Sequence, residues 1–158
     1  MKISKYYILF FSIILFACGS GNSNDESAEA ETPTDATMAE ETTSPDARVY
    51  FVSLNDGDTV TSPFKVEMGV EGMQVEPAGE VHEGFGHHHL VIDGSFIPEG
   101  EVVPANEKNI HYGKGQTVTG DITLEPGTHT LTLQFADGVH ASYGEDLSAT
   151  IEVYVAEE

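Results

Sequence analysis

The stretch Thr128-His129-Thr130-Leu131-Thr132-Leu133-Gln134-Phe135 decides the fold class of this chain. Every second side chain from His129 to Phe135 falls on one face of an extended chain, and the polar residues between them fall on the other. A period of two residues is typical of a β-strand with one face in a hydrophobic core. Glu125-Pro126-Gly127 before it and Asp137-Gly138 after it are turn sequences, so the pattern predicts a strand with defined ends.

Similar short patterns recur on both sides of this strand. They cover Val49 to Leu54, Phe64 to Glu71, Leu90 to Ile92, Thr117 to Leu124 and Ala149 to Val155. In the fourth of these, the alternation places Val118 and Ile122 on one face. No segment has a convincing helical period. Repeated short strands with turns between them predict an all-β fold, a single immunoglobulin-like β-sandwich over residues 48–158.

Three consecutive histidines stand inside this predicted domain, in the run Gly86-His87-His88-His89-Leu90-Val91-Ile92-Asp93. Imidazole is the commonest metal ligand in proteins, and it is mostly neutral at pH 7. Strand alternation puts His87 and His89 on one side, with their Cβ atoms roughly 6–7 Å apart, which is close enough for both rings to reach one ion. His88 falls on the other side with the apolar residues, where we expect it to be packed and hydrogen-bonded more than to be a ligand.

Two long, glycine-rich loops surround the histidine run, and long structured loops in a compact domain usually carry function. These loops and the Asp137-Gly138 turn add further candidate ligands. The full candidate set is His87, His88, His89, His111, His140 and Met73. Met73 offers a soft thioether, although a loop methionine more often fills a gap in the core. His129, just after a turn, is predicted to cap a neighbouring carbonyl.

Several imidazoles without a thiolate suit copper best and zinc next. Calcium would require clustered oxygen ligands, and the chain has no Asp-x-Asp-x-Asp-Gly loop. The sequence therefore predicts a copper or zinc site.

Several motifs occur in an order that resembles domain of unknown function 4399, a bacterial family of secreted proteins and lipoproteins. The resemblance spans about residues 50–155, and its main motifs are Gly86 to Leu90, Ile110 to Thr117, Pro126 to Leu131 and Asp137 to His140. The family pattern includes His87 to His89, His111, His129 and His140. At position 109 relatives tend to carry a histidine, whereas this chain has Asn109. The family name itself implies no activity.

The N-terminus predicts export and a lipid anchor. Lys2 and Lys5 precede an apolar stretch from Tyr6 to Phe16, which is too short to span a membrane and is typical of a signal peptide over residues 1–17. Leu15-Phe16-Ala17-Cys18 resembles a bacterial lipobox. We expect cleavage before Cys18 and acylation there, so that the membrane is a partner through the lipid. The alternative is a free thiol in an ordinary signal peptide.

Residues 18–47 are predicted to be an acidic, disordered tether. Beyond Cys18 they contain no Lys or Arg, and Met38 is their only larger apolar side chain. The expected location is the bacterial cell envelope, with the lipid anchor in the outer membrane or at the cell surface.

The charge balance excludes some classes of function. With 6 basic and 27 acidic residues the net charge is −21, which argues against nucleic-acid binding. The chain has no Gly-x-Ser-x-Gly and no His-Glu-x-x-His motif, so we do not expect an enzyme. The sequence predicts an envelope lipoprotein with a histidine-rich copper or zinc site. The alternative is a non-enzymatic immunoglobulin-like interaction or scaffold module whose histidines are structural.

Overall fold

A computed structural model describes residues 46–157 of the protein. The predicted signal peptide, the lipidation site Cys18 and the tether as far as residue 45 lie outside the described residues and stay predictions. Within the described part, no helix is long and apolar enough to cross a membrane.

Short β-strands make up the regular structure of this part of the chain. They are β1 (Arg48–Phe51), β2 (Asp58–Val60), β3 (Met68–Glu71), β4 (Gln74–Val75), β5 (Phe85–Ile92), β6 (Asn109–His111), β7 (Gly127–Ala136) and β8 (Ser148–Val155). One 3-10 turn, Glu145–Leu147, precedes β8. The predicted all-β fold is confirmed, whereas its immunoglobulin-like arrangement stays a prediction.

The larger sheet has the strand order β2-β8-β7-β5, and both β4 and β6 pair with β5. The pairs β5–β7, β7–β8 and β5–β6 are antiparallel, while β2 runs parallel to β8 and β4 parallel to β5. Strands β1 and β3 form a separate antiparallel pair. Strand β7 therefore lies in the middle of the larger sheet.

The hydrophobic core lies against one face of this sheet. Leu131, Leu133 and Phe135 of β7 are fully buried there, as their alternation predicts. Val49 from β1 and Met68 from β3 belong to the same core cluster. The small two-stranded sheet thus contributes side chains to the core, which makes the arrangement sandwich-like.

The opposite face of β7 is buried as well, although its residues are polar. Thr132 and Gln134 have no exposed surface. The Thr132 hydroxyl donates to the carbonyl of Gly94 at 2.8 Å, and the Gln134 carbonyl oxygen accepts from the Ile97 N–H at 2.9 Å. The segment after β5 therefore covers this face and supplies the hydrogen bonds that buried polar side chains need.

One predicted strand is wrong. Residues 117–124 form only isolated bridges to Phe64 and Glu67, and Val118 is 45% exposed instead of facing the core. Thr119 is buried in its place because its hydroxyl accepts the N–H of Val66 at 2.9 Å. Ile122 is in the core as expected. Strand β5 also begins earlier than predicted, at Phe85, so the histidine run lies wholly inside it.

Replacing Leu133 by alanine tests the central position of β7. Leu133 is fully buried in the core, so Leu133→Ala should lower the free energy of unfolding by about 2–5 kcal/mol, measured by urea denaturation. Val52→Ala is the matched control, because Val52 is 55% exposed and should change stability by less than about 0.5 kcal/mol. Equal effects of the two substitutions would contradict the assigned core.

Candidate metal centre

Strand register brings three histidines to one face of the larger sheet. In β5, His87 and His89 are two residues apart and share a face. His89 pairs directly with His111 of β6. His87 and His89 are buried, whereas His111 is exposed, so the site extends from the sheet to the surface. The predicted separation of these two rings from His88 is confirmed, because His88 pairs with Phe135 of the core face.

The fourth histidine comes from the turn after β7. One carboxylate oxygen of Asp137 accepts the N–H groups of Val139 and Ala141 at 2.9 and 2.8 Å. The enclosed His140 has a φ of 73°, a left-handed conformation that is uncommon for residues other than glycine. Hydrogen bonds to Asp137 therefore hold His140 in the conformation that turns its ring toward the sheet.

His87, His89 and His111 offer ring nitrogens that lie within 4.8 Å of one another, and His140 joins this group through a short contact to His111. The Nε2 of His87 lies 3.0 Å from that of His89 and 3.1 Å from that of His111. The Nε2 of His140 lies 3.1 Å from that of His111. His87, His89, His111 and His140 together form a four-histidine cluster.

Hydrogen bonds alone do not account for this convergence. In a neutral imidazole, Nε2 carries either one hydrogen or one lone pair. The Nε2 of His87 has two short neighbours, and so has that of His111. At most two of the three contacts can therefore be full hydrogen bonds. A cation, in contrast, would use a lone pair from each of His87, His89 and His111, whose ring nitrogens lie within 4.8 Å of one another, with His140 beside His111.

The environment keeps the inner rings neutral. Burial, together with the neighbouring imidazoles, lowers the pKa of His87 to about 4 and that of His89 to about 3. Burial and the nearby His140 also lower the pKa of His111. Protons therefore do not compete for these lone pairs at neutral pH, which is a requirement for metal binding.

The spacing of the nitrogens fits a first-row transition ion. Two neighbouring nitrogens of the cluster are 3.0–3.1 Å apart. If both bound one ion at about 2.0–2.1 Å, the nitrogen–metal–nitrogen angle would be about 95°. This angle lies between that of a square-planar and that of a tetrahedral site. All-nitrogen donor sets of this kind suit copper(II) and zinc.

Two predicted ligands lie elsewhere. His88 is on the core face, with its ring 5.0 Å from that of Phe135 in an edge-on contact. Neither of its ring nitrogens has a hydrogen-bond partner among residues 46–157, so the expected hydrogen bonding is wrong. Met73 is buried in the core cluster, which is the packing role that the sequence left open for it. We do not include either residue in the candidate site.

The two remaining histidines make local contacts. The Nε2 of His129 lies 2.9 Å from the carbonyl oxygen of Glu125, and its Nδ1 lies 3.1 Å from a carboxylate oxygen of Asp93. The predicted carbonyl cap is confirmed. His82 pairs with the carboxylate of Glu76 at 3.0 Å, and this contact raises the pKa of His82.

A small pocket of about 270 Å³ adjoins the cluster, and no pattern in the sequence predicts it. Its walls include Val102 to Ala105, and Asn109 also lines it. Asn109 lies two residues before His111 on β6 and therefore shares its face. The Asn109 Oδ1 is buried and has no hydrogen-bond partner within the described part of the chain. Its spacing of two residues from His111 is the sequence signal that could have placed Asn109 beside the candidate site.

Replacing His88 by leucine tests its assignment to the core. Burial lowers the pKa of His88 to about 4, so the ring is neutral and both its donor and its acceptor are unpaired. His88→Leu should raise the free energy of unfolding by about 1 kcal/mol in urea denaturation, because an unpaired buried polar group is removed.

The matched control is His129→Leu, which removes two hydrogen-bonded contacts and should lower stability by about 1–2 kcal/mol. A large loss of stability in His88→Leu would contradict a purely packed ring.

Comparison with known proteins places the chain in a family. The family described as domain of unknown function (DUF4399) matches residues 66–156, which include the whole four-histidine cluster. No curated protein and no solved structure matches the chain. The match covers more than half of the chain and agrees with the resemblance noted from its motifs, so the protein belongs to the DUF4399 family.

Proposed function

We propose that this protein binds a copper(II) or zinc ion through His87, His89, His111 and His140, and that a lipid on Cys18 attaches it to the bacterial envelope. One observation carries the metal-binding proposal. Neighbouring Nε2 atoms of the four rings lie 3.0–3.1 Å apart, a convergence that hydrogen bonds alone do not explain.

Copper is the first choice of ion. The four donors are all imidazole nitrogens, which suit copper and zinc. Cys18 is the only cysteine in the chain, so the cluster contains no thiolate ligand. For such a site the affinity of divalent ions rises to a maximum at copper and falls again at zinc. The angle of about 95° also lies closer to a tetragonal site than to a tetrahedral one. Zinc is the second choice.

The burial of the ligands supports a role in holding and exchanging the ion, not in catalysis. His87 and His89 are buried, whereas His111 is exposed and His140 is partly exposed. An ion can therefore reach the outer rings from solvent without unfolding of the sheet. This arrangement suits metal handling at the cell envelope.

The alternative role, an interaction module with structural histidines, is less consistent with the contacts. His129, which has a local structural role, has an oxygen acceptor at each of its ring nitrogens. In the cluster, by contrast, the Nε2 atoms face other Nε2 atoms instead of oxygens. Such contacts favour a cation as the missing partner.

Calorimetric titration of the full chain, purified without a tag, with copper(II) and with zinc tests this proposal. The wild-type protein should bind one ion. The double substitution His87→Ala/His89→Ala removes both buried ligands and should weaken binding by roughly a hundredfold or more. Copper at about a hundred times its Kd should also stabilise the wild-type protein by about 2.7 kcal/mol.

The matched control is His82→Ala, which removes a histidine that pairs with Glu76 and is not one of the four cluster residues. This variant should keep the stoichiometry and affinity of the wild type. Unchanged binding in the double variant would overturn the proposed site and favour the interaction module.

Membrane attachment has its own test. Cys18→Ser removes the sulfur that the lipid would modify, so the protein should move from the membrane fraction to the soluble periplasmic or secreted fraction. The measurement is an immunoblot of fractions from a bacterial expression host. Continued membrane retention of Cys18→Ser would count against the lipid anchor, while the metal titration would be unaffected.

A further inference from the structure

The four-histidine cluster has one open edge. Short Nε2 contacts run from His89 to His87, from His87 to His111, and from His111 to His140. The two ends of this series, His89 and His140, have ring centroids 5.8 Å apart, the longest centroid separation in the cluster. An ion bound by the four rings would therefore be least enclosed between His89 and His140.

The pocket of about 270 Å³ lies at this edge. His89, His111 and His140 line it, whereas His87 does not. Its volume is just below the range of roughly 300–1,000 Å³ typical of pockets for drug-sized ligands. The segment Val102 to Ala105 gives it an apolar wall. The space therefore suits a small and mainly apolar molecule.

Asn109 adds one polar requirement. Its Oδ1 is buried without a partner among the described residues, and a carbonyl oxygen only accepts hydrogen bonds. A ligand in the pocket is therefore favoured if it carries an N–H or O–H group. Anions without a hydrogen, such as halides, do not meet this requirement.

We propose that the bound metal takes an exchangeable additional ligand in this pocket, a small neutral nitrogen heterocycle of the imidazole type. One ring nitrogen coordinates the metal, and the N–H on the other side of the ring donates to Asn109 Oδ1. The inference rests on the proposed metal site.

The dimensions agree with this assignment. A metal–nitrogen bond, an imidazole ring and an N–H···O hydrogen bond together span roughly 6–7 Å. Asn109 and His111 line the same pocket and lie two residues apart on one face of β6, with a Cα separation of roughly 6–7 Å. A five-membered ring therefore has the length needed to reach from a metal at His111 toward Asn109.

The test uses the full chain loaded with one copper(II) ion. Imidazole and 1-methylimidazole are titrated separately while the visible absorption and the electron paramagnetic resonance spectrum of copper are recorded. 1-Methylimidazole can coordinate copper but has no N–H to donate. Imidazole should change the spectrum and bind roughly tenfold more tightly than 1-methylimidazole, because only imidazole satisfies Asn109.

Two variants and one control make the test specific. Asn109→Ala should bind both heterocycles with similar affinity. Ala105→Leu should fill part of the pocket and weaken both heterocycles while copper stays bound, since Ala105 is exposed and tolerates a larger side chain. The matched control is Asn55→Ala, an exposed asparagine in the turn before β2, which should behave as the wild type.

The outcomes separate the two proposals. If the protein does not bind copper, the proposed function and this inference both fail. If copper binds but imidazole leaves its spectrum unchanged, only the inference is overturned. Equal affinity of the wild type for the two heterocycles also overturns the inference, because Asn109 then has no part in ligand choice.

Discussion

The register of β5 between its neighbours is the constraint on which the rest of the structure depends. His88 pairs with Phe135 and therefore faces the core, while His89 pairs with His111 on the other face. A slip of one residue would exchange these faces, placing two histidines in the core and one outside. Because both faces of β5 are buried, packing on either side opposes such a slip.

The same burial makes four neighbouring imidazoles compatible with a folded domain. Charged rings at 3.0–3.1 Å would repel each other strongly, but burial lowers the pKa of His87 and His89 well below neutral pH. These two rings remain neutral and keep their lone pairs. Desolvation thus both permits the cluster and prepares it to bind a cation, which connects packing to the proposed function.

Sequence reasoning succeeded where a pattern was local and failed where distant groups met. The alternation of β7 and the split of the histidine run follow from the period of a strand, and both are confirmed. The prediction that Val118 faces the core is wrong because Thr119 takes the buried position. The Thr119 hydroxyl accepts a hydrogen bond from the N–H of Val66, which is 53 residues away in the chain. His88 was expected to be hydrogen-bonded, but the core around it offers no partner within the described residues.

By itself, the sequence determined the all-β fold, the family and the pairing of His87 with His89 on one face, because these depend on local periodicity and motifs. Only the tertiary structure decided that His111 and His140 complete the cluster, that Met73 belongs to the core, and that Asn109 faces a pocket. Those placements depend on strand pairing and turn geometry between residues far apart in the chain, which no local pattern encodes.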